Sequence, residues 1–474
     1  MESYKDTRSP PSASTFPKPV TCLMPISFRV ACFCNVCFSI VCFLTCSSFL
    51  LAGTPWSSRS TVQAEDWPQW RGTDRNATID DAAIPNQLPP GQLPLSWSTP
   101  VGPGYSGPTV AEGRVYLTDR QGEDGEINER VLCLDADSGA EVWQLKYPVA
   151  YSIGYQASGP RASVTIDSKR AYAVGGMGMF HCLDAETGEI IWKHDLNEEY
   201  KIEMPIWGIT AAPILVGDLV IQVVAGAGDA CLVAFDTETG KERWRAIDEK
   251  SGYSAPILIR QGEQDVLVVW TGESVTGLNP KTGDTFWSIP LPSRNMPIGV
   301  ATPVIEDDKL FVSSFYDGAM LIRIDPNAPR AEKLWHRIGR DERNTDALHS
   351  MISTPLIKDG LIYGVDSYGE MRCLDMVTGD RVWEDLTAVP KERWATIHII
   401  RNGDDEIMLN ERGELLLTTL KPDGLEIRSR SQLIPPTLQQ LRRREGVVWS
   451  HPAIADGVIY ARNDNKIIAA KLYR

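Results

Sequence analysis

The residues best placed to do chemistry are aromatic and imidazole side chains: Tyr105, Tyr155, Trp207, Tyr253, His349, Trp394, Trp449 and His451. Each stands shortly ahead of a point where a repeated unit of the chain begins, so a ring-shaped fold would gather them at one opening. Such a set can stack a flat ligand, grip a peptide or plug the opening. His349 and His451 leave acid–base chemistry open at the same place. Asp135, Asp184, Asp236 and Asp375 are a second candidate set, as oxygen ligands for a cation. Each of them, however, precedes a tryptophan by eight positions, and that phase marks a turn-former instead. No GxSxG, HExxH or P-loop pattern occurs. Gly175–Met179 is glycine-rich, but it falls in a hairpin with no helix after it, so it is no phosphate cradle. No catalytic residue and no metal ligand is assigned.

The elements that must hold these residues are legible as a repeat. Cys182-Leu-Asp-Ala-Glu-Thr-Gly-Glu-Ile-Ile-Trp192 reads as a strand, a tight turn and a second strand. Asp184 can bond the amides of its own turn, and Gly188 supplies a positive φ. The phrase recurs, ending at Trp143, Trp192, Trp244, Trp287, Trp335 and Trp383, with gaps of 49, 52, 43, 48 and 48 residues. A period in the forties built from short strands indicates a β-propeller with one four-stranded blade per repeat. A second ruler is the proline that opens each unit: Pro108, Pro160, Pro213, Pro256, Pro303, Pro355 and Pro452. Proline cannot donate to a ladder, so it suits the start of an innermost strand. The doubled gap after Pro355 leaves room for a blade starting near His398, whose tryptophan is replaced by Arg428. An eighth blade would take Gly457–Tyr460 and Lys466–Ala470 as inner strands and Leu93–Trp97 as its outer strand. The expected fold is therefore all-β, an eight-bladed propeller over 93–474 with tryptophan-docking turns, its ring closed by pairing of the N-terminal and C-terminal strands.

The phrase Leu-Asp-Ala-Glu-Thr-Gly-x-x-x-Trp resembles the pyrroloquinoline quinone (PQQ)-like repeat. That repeat is found in quinoprotein alcohol dehydrogenases and in the B subunit of the bacterial outer-membrane-protein assembly machine. Asp66-Trp-Pro-Gln-Trp-Arg-Gly72 is similar to the opening of exported propellers of this class. For a dehydrogenase the resemblance implies a quinone held between a tryptophan and a disulfide of two adjacent cysteines. It also implies calcium on a Glu and an Asn, and an Asp as base. The chain has no Cys-Cys pair, and no Glu, Asn and Asp fall on matching positions. Cofactor-binding residues are accordingly left unassigned.

Residues 1–64 read as a leader. Arg29 precedes the apolar run 30–52, and Thr61-Val-Gln-Ala64 offers a small-residue cleavage site. The run is also long enough to serve as an uncleaved membrane anchor. Residues 65–92, polar and proline-bearing, are expected to form an irregular arm over the propeller rim, anchored by Trp67 and Trp70. Pro436–Glu445 is the one helical candidate, with Leu438 and Leu441 on a common face. Six of the ten cysteines lie in the leader, and Cys133, Cys182, Cys231 and Cys373 are read as buried free thiols on separate blades. The net charge of −15, without basic runs, argues against nucleic acid as a partner. The expectation is an exported, monomeric, non-catalytic platform of the periplasm or cell envelope, without a cofactor, that binds protein or polysaccharide. The membrane would be met only through an uncleaved leader. The alternative is a divergent PQQ- and calcium-dependent alcohol or sugar dehydrogenase.

Overall fold

The computed structural model describes residues 66–80, 84–122, 126–153, 159–441 and 445–472. The leader, Tyr155 and Arg442–Arg444 lie outside the described residues. Eight antiparallel sheets follow one another: 109–148, 165–195, 214–246, 257–290, 304–337, 356–385, 397–432, and a last sheet of 453–471 completed by Trp97–Pro100. They are termed blades 1 to 8. The middle strands of a blade are buried on both faces, as in Leu219–Val223 and Leu232–Asp236. Outermost strands such as Glu141–Pro148 alternate exposed and covered positions instead. The eight-blade expectation holds, and so does the closure: Trp97 pairs with Ala469 and Pro100 with Lys466. Ring closure covers the outward edge of Lys466–Lys471, which the C-terminal strands alone would leave open.

Adjacent blades are joined by the tryptophans. The indole Nε1 of Trp143 donates to the Ala185 carbonyl in the turn of blade 2, at 3.0 Å. Trp192 reaches Thr237 at 3.1 Å, Trp244 reaches Pro280 at 3.1 Å and Trp335 reaches Met376 at 3.0 Å. Trp97 closes the ring on Ala136 at 2.8 Å. In four of these cases the acceptor follows the turn Asp, and Pro280 follows Asn279 in the same way. The turn carboxylates are spent locally: Asp184 Oδ1 accepts from the Thr187 amide at 2.8 Å, and these bonds hold its pKa below the usual carboxylate value. The turn glycine has a second reason beyond φ. A Cβ at Gly188 would come within 2.6 Å of the Trp143 ring, and one at Gly139 within 2.5 Å of Trp97.

Two deviations explain themselves. The turn of blade 5 carries two extra residues, and there Trp287 donates to Gln261 Oε1, whose amide in turn donates to the carbonyls of Asp325, Ala328 and Arg330. Blade 7 has Arg428, ion-paired with Asp405 at 2.9 Å, where a tryptophan would stand. Blade 8 draws its last two strands from opposite ends of the chain, so no turn exists to receive an indole. Leu88 and Leu93 join Leu433 and Ile434 in the core at that joint.

Two expectations are corrected. The arm keeps to the periphery only in its second half, where residues 88–93 run along Gly424–Gln432, the outermost strand of blade 7. Residues 66–80 enter the central channel and run along the inner strands. Trp67 bridges Val110 of blade 1, and the Pro68 carbonyl accepts from Ile166 of blade 2. Trp70 donates to Thr302 at 2.8 Å, and Thr78–Ile79 adds a parallel fifth strand to the inner edge of blade 7. Trp67 is the largest fully buried side chain among the described residues. Nor is 436–441 helical: Thr437 bridges Val447, Asp464 accepts from the Gln439 amide at 3.0 Å, and Leu438 points outward at 55% exposure. A short helix, Leu196–Tyr200, occurs instead after blade 2, capped by Asp195.

Candidate functional site

Because strands alternate in direction, the start of each inner strand and the loop between the second and third strands share one end of the channel. This end, the upper face, is where the aromatic set falls. Beneath it the tip of the arm closes the channel. The Arg75 guanidinium donates to the Ala212 carbonyl at 3.3 Å, the Pro256 carbonyl at 3.0 Å and the Pro213 carbonyl, tying the arm to the starts of blades 3 and 4. The upper face is thus a cup with a floor.

The cup unites only part of the set. Trp207 and Tyr253 pack with ring centroids 5.0 Å apart and their planes tilted by 50°. Trp207 and Trp394 share one apolar cluster with Met296, Ile298, Phe315, Tyr316, Met351 and Ile352, drawn from the lead-ins of blades 3, 5, 6 and 7 and from the loop after the second strand of blade 5. Tyr105 stands across the cup, under the Arg161 guanidinium at 4.8 Å, its hydroxyl donating to the Gln440 carbonyl at 2.6 Å. Trp394 is held under two costs: a left-handed backbone, φ 66°, and a buried indole N–H with no acceptor among the described residues. Bulky residues rarely adopt that conformation, and such outliers gather at functional positions.

The other three members are structural. His349 is buried; the Gly339 amide donates to its Nε2 at 3.1 Å, so Nδ1 carries the proton and donates to Phe315 O at 3.0 Å. Trp449 is buried, and its carbonyl accepts from His398 Nε2 at 2.9 Å. His451 faces the arm, stacked on Trp67 at 5.9 Å and met edge-on by Trp70 at 5.2 Å. Sequence spacing placed all three at the correct end of the channel, but it carries no information on which side of a lead-in faces solvent.

Burial drives the His398 pKa down to about 4 and that of His451 well below its ordinary value. A base whose folded pKa is depressed binds protons more readily when unfolded. The His398 contribution is therefore complete above pH 6.5 and is lost as pH falls toward 4, by on the order of 3 kcal/mol. His398→Gln keeps a donor toward Trp449 O but cannot titrate. Its urea midpoint should fall less between pH 7 and pH 4.5 than that of the parent protein. Equal falls would place the acid sensitivity elsewhere. Asp366, pushed up to about 6 by burial, acts in the opposite sense and is common to both proteins.

A group of residues without a sequence motif lies beside the apolar cluster. Arg294, Asn295, Tyr316, Gly339, Arg340, Asp341 and Glu342 line a cavity of about 430 Å³ between the lead-ins of blades 5 and 6. Glu342 is engaged by both Arg393, at 2.9 and 2.6 Å, and the Tyr368 hydroxyl at 2.7 Å. Asp341 accepts from the Arg343 and Asn344 amides, both at 2.9 Å, and from Arg340 at 3.2 Å. The one available signal was the charged run Arg340-Asp-Glu-Arg343 inside a long lead-in.

The residues present do not fit a quinone site of the implied kind. The four described cysteines are free, buried and on different blades, and burial pushes the thiols of Cys133, Cys182 and Cys231 up to about 12. Among the described residues no three His, Cys, Asp or Glu side chains converge as a metal would require.

An eight-bladed ring with docked indoles and a floored upper cup defines the chain as a PQQ-like-repeat propeller. It belongs to the family of outer membrane protein assembly factor BamB, whose family model matches residues 127–384 and 339–472. It is 20% identical to the outer membrane protein assembly factor BamB of Yersinia pestis over 56% of this chain and 64% of that one. It is 32% identical to the quinoprotein alcohol dehydrogenase PedE of Pseudomonas putida over 25% of this chain and 18% of that protein. The crystal structure of BamB from Moraxella catarrhalis superposes with a TM-score of 0.51 at 15% identity, covering 81% of this chain and 99% of that one. These likenesses concern the fold.

Proposed function

We propose that the protein is an exported, non-catalytic platform of the cell envelope that docks segments of protein partners in its upper cup. The observation that carries this reading is the apolar cluster around Trp207 and Trp394, left partly open to solvent above a channel the arm has filled. A filled axis leaves a shallow surface suited to gripping side chains, not a tunnel for a small substrate. Relationship to an assembly factor supports the choice of a protein partner. The dehydrogenase alternative has no matching ligand set to rest on.

Crosslinking in the native envelope tests the proposal. Trp207→Ala and Trp394→Ala should each remove crosslinks that the parent protein forms; if both variants keep every one, the cup is not the docking face. In parallel, purified protein is mixed with PQQ and calcium and then desalted. No quinone absorbance should remain. Retained quinone together with dye reduction by alcohols or sugars would replace the platform by an enzyme.

A further inference from the structure

The basic cavity beside the cup is unexpected in a chain of net charge −15. Its two carboxylates are consumed internally by Arg393, Tyr368, Asn344 and Arg340. Arg294 lies exposed on its lip; its backbone amide donates to Asp317 at 2.8 Å and its charge acts on that buried carboxylate, but its exposed guanidinium forms no direct ion pair among the described residues. Arg343 is exposed as well, its guanidinium stacked on the Tyr368 ring at 5.4 Å. Stacking leaves the edge of a guanidinium, with its N–H donors, turned to the surroundings. Around the cavity four guanidinium groups, those of Arg294, Arg340, Arg343 and Arg393, face three carboxylates, Asp317, Asp341 and Glu342, so the balance is cationic by one charge. Tyr316 belongs both to its wall and to the apolar cluster that holds Trp394, so basic and apolar surfaces adjoin.

Resting on the docking reading above, we infer that the occupant of the cup is an extended protein segment in which acidic side chains stand next to aromatic or large apolar ones. The carboxylates enter the cavity at Arg294 and Arg340, and the neighbouring rings settle against Tyr316, Trp394 and Trp207. Guanidinium forks match carboxylate geometry, and complementary charge sets the register of such a contact. The protein's overall negative charge repels acidic chains elsewhere on its surface, which confines them to this place.

Three fluorescein-labelled twelve-residue peptides test this by anisotropy on the full-length protein: one alternating Glu and Phe, one with Gln in place of Glu, one with Lys. The Glu peptide should bind at least about tenfold tighter than the Gln peptide, with an advantage that shrinks as salt rises. The Lys peptide should bind weakest. Arg294→Glu/Arg340→Glu, two exposed positions with no fold at stake, should lose at least about tenfold for the Glu peptide and little for the Gln peptide. Equal binding of Glu and Gln peptides, or an unchanged double variant, would overturn the inference. If such charge-blind binding still disappears in Trp207→Ala, the docking reading survives alone; if no peptide binds, both fall. Dextran sulfate displacing the Glu peptide at equal charge concentration would replace the protein segment by a polyanion and likewise overturn the inference.

Discussion

Arg75→Ala is expected to lower the unfolding free energy by roughly 4 kcal/mol, the cost of leaving buried carbonyls without their donor. Arg75 is 3% exposed and its guanidinium meets no carboxylate; its partners are the carbonyls of Ala212, Pro213 and Pro256, together with the Gln69 side chain at 2.8 Å. One planar group thus caps the starts of two blades and fixes the arm between them. Truncation would strip a donor from carbonyls that water reaches poorly, and it would also free the arm tip. Arg75→Lys should recover less than half of the loss, since an ammonium cannot fork to two blades in one plane. Urea unfolding of the three proteins reads this directly. A loss under about 1 kcal/mol would fall within the range of surface substitutions and would make the arm ornamental.

The contrast between Arg75 and the tryptophans shows what a single sequence exposes. Trp143, Trp192 and Trp244 recur because every blade solves the same joint, and repetition makes the solution visible. Trp97 was legible for the same reason: it falls on the beat although its own turn is missing. The arm solves a problem that occurs once. Its contacts with blades 1, 2, 3, 4, 5, 7 and 8 run between irregular backbone and strand starts far apart in the chain, so no period marks them. Arg71 and Arg75 read as ordinary surface charges in a polar stretch, and both are buried. Leu438 and Leu441 carried a helical spacing, but a loop pinned by Asp464 prevailed over two apolar residues. The cup was located by the residues before each proline. Its division into open rings and buried pins was not, because His349 and His451 face backbone carbonyls and the arm, which no local pattern records. The basic cavity is a junction of two lead-ins about forty-five residues apart, and such junctions leave no trace in either segment alone.

The joint itself predicts a non-additive pair. Trp143→Ala should cost about 4 kcal/mol, as for other large buried rings. Gly188→Ala should cost about 3 kcal/mol, from left-handed backbone at φ +75° and from a methyl driven to within 2.6 Å of the rigid indole. Gly217→Ala separates these causes. Its φ of +61° is comparable and nothing lies within 4 Å of the added carbon, so about 1 kcal/mol is expected from backbone alone. In the double variant Trp143→Ala/Gly188→Ala the ring is gone and only the backbone cost of the methyl persists. The pair should then be less destabilised than the sum by about 2 kcal/mol, well outside the scatter of independent sites. Strict additivity would mean that the glycine is required for its turn only and that the indole rests on it by accident. Coupling of the expected size would show the repeat to be a two-blade device: each turn is shaped for the side chain of the blade before it. That dependence runs around the ring with two exceptions: blade 4, whose indole reaches the next turn through Gln261, and blade 7, which meets a blade without a turn.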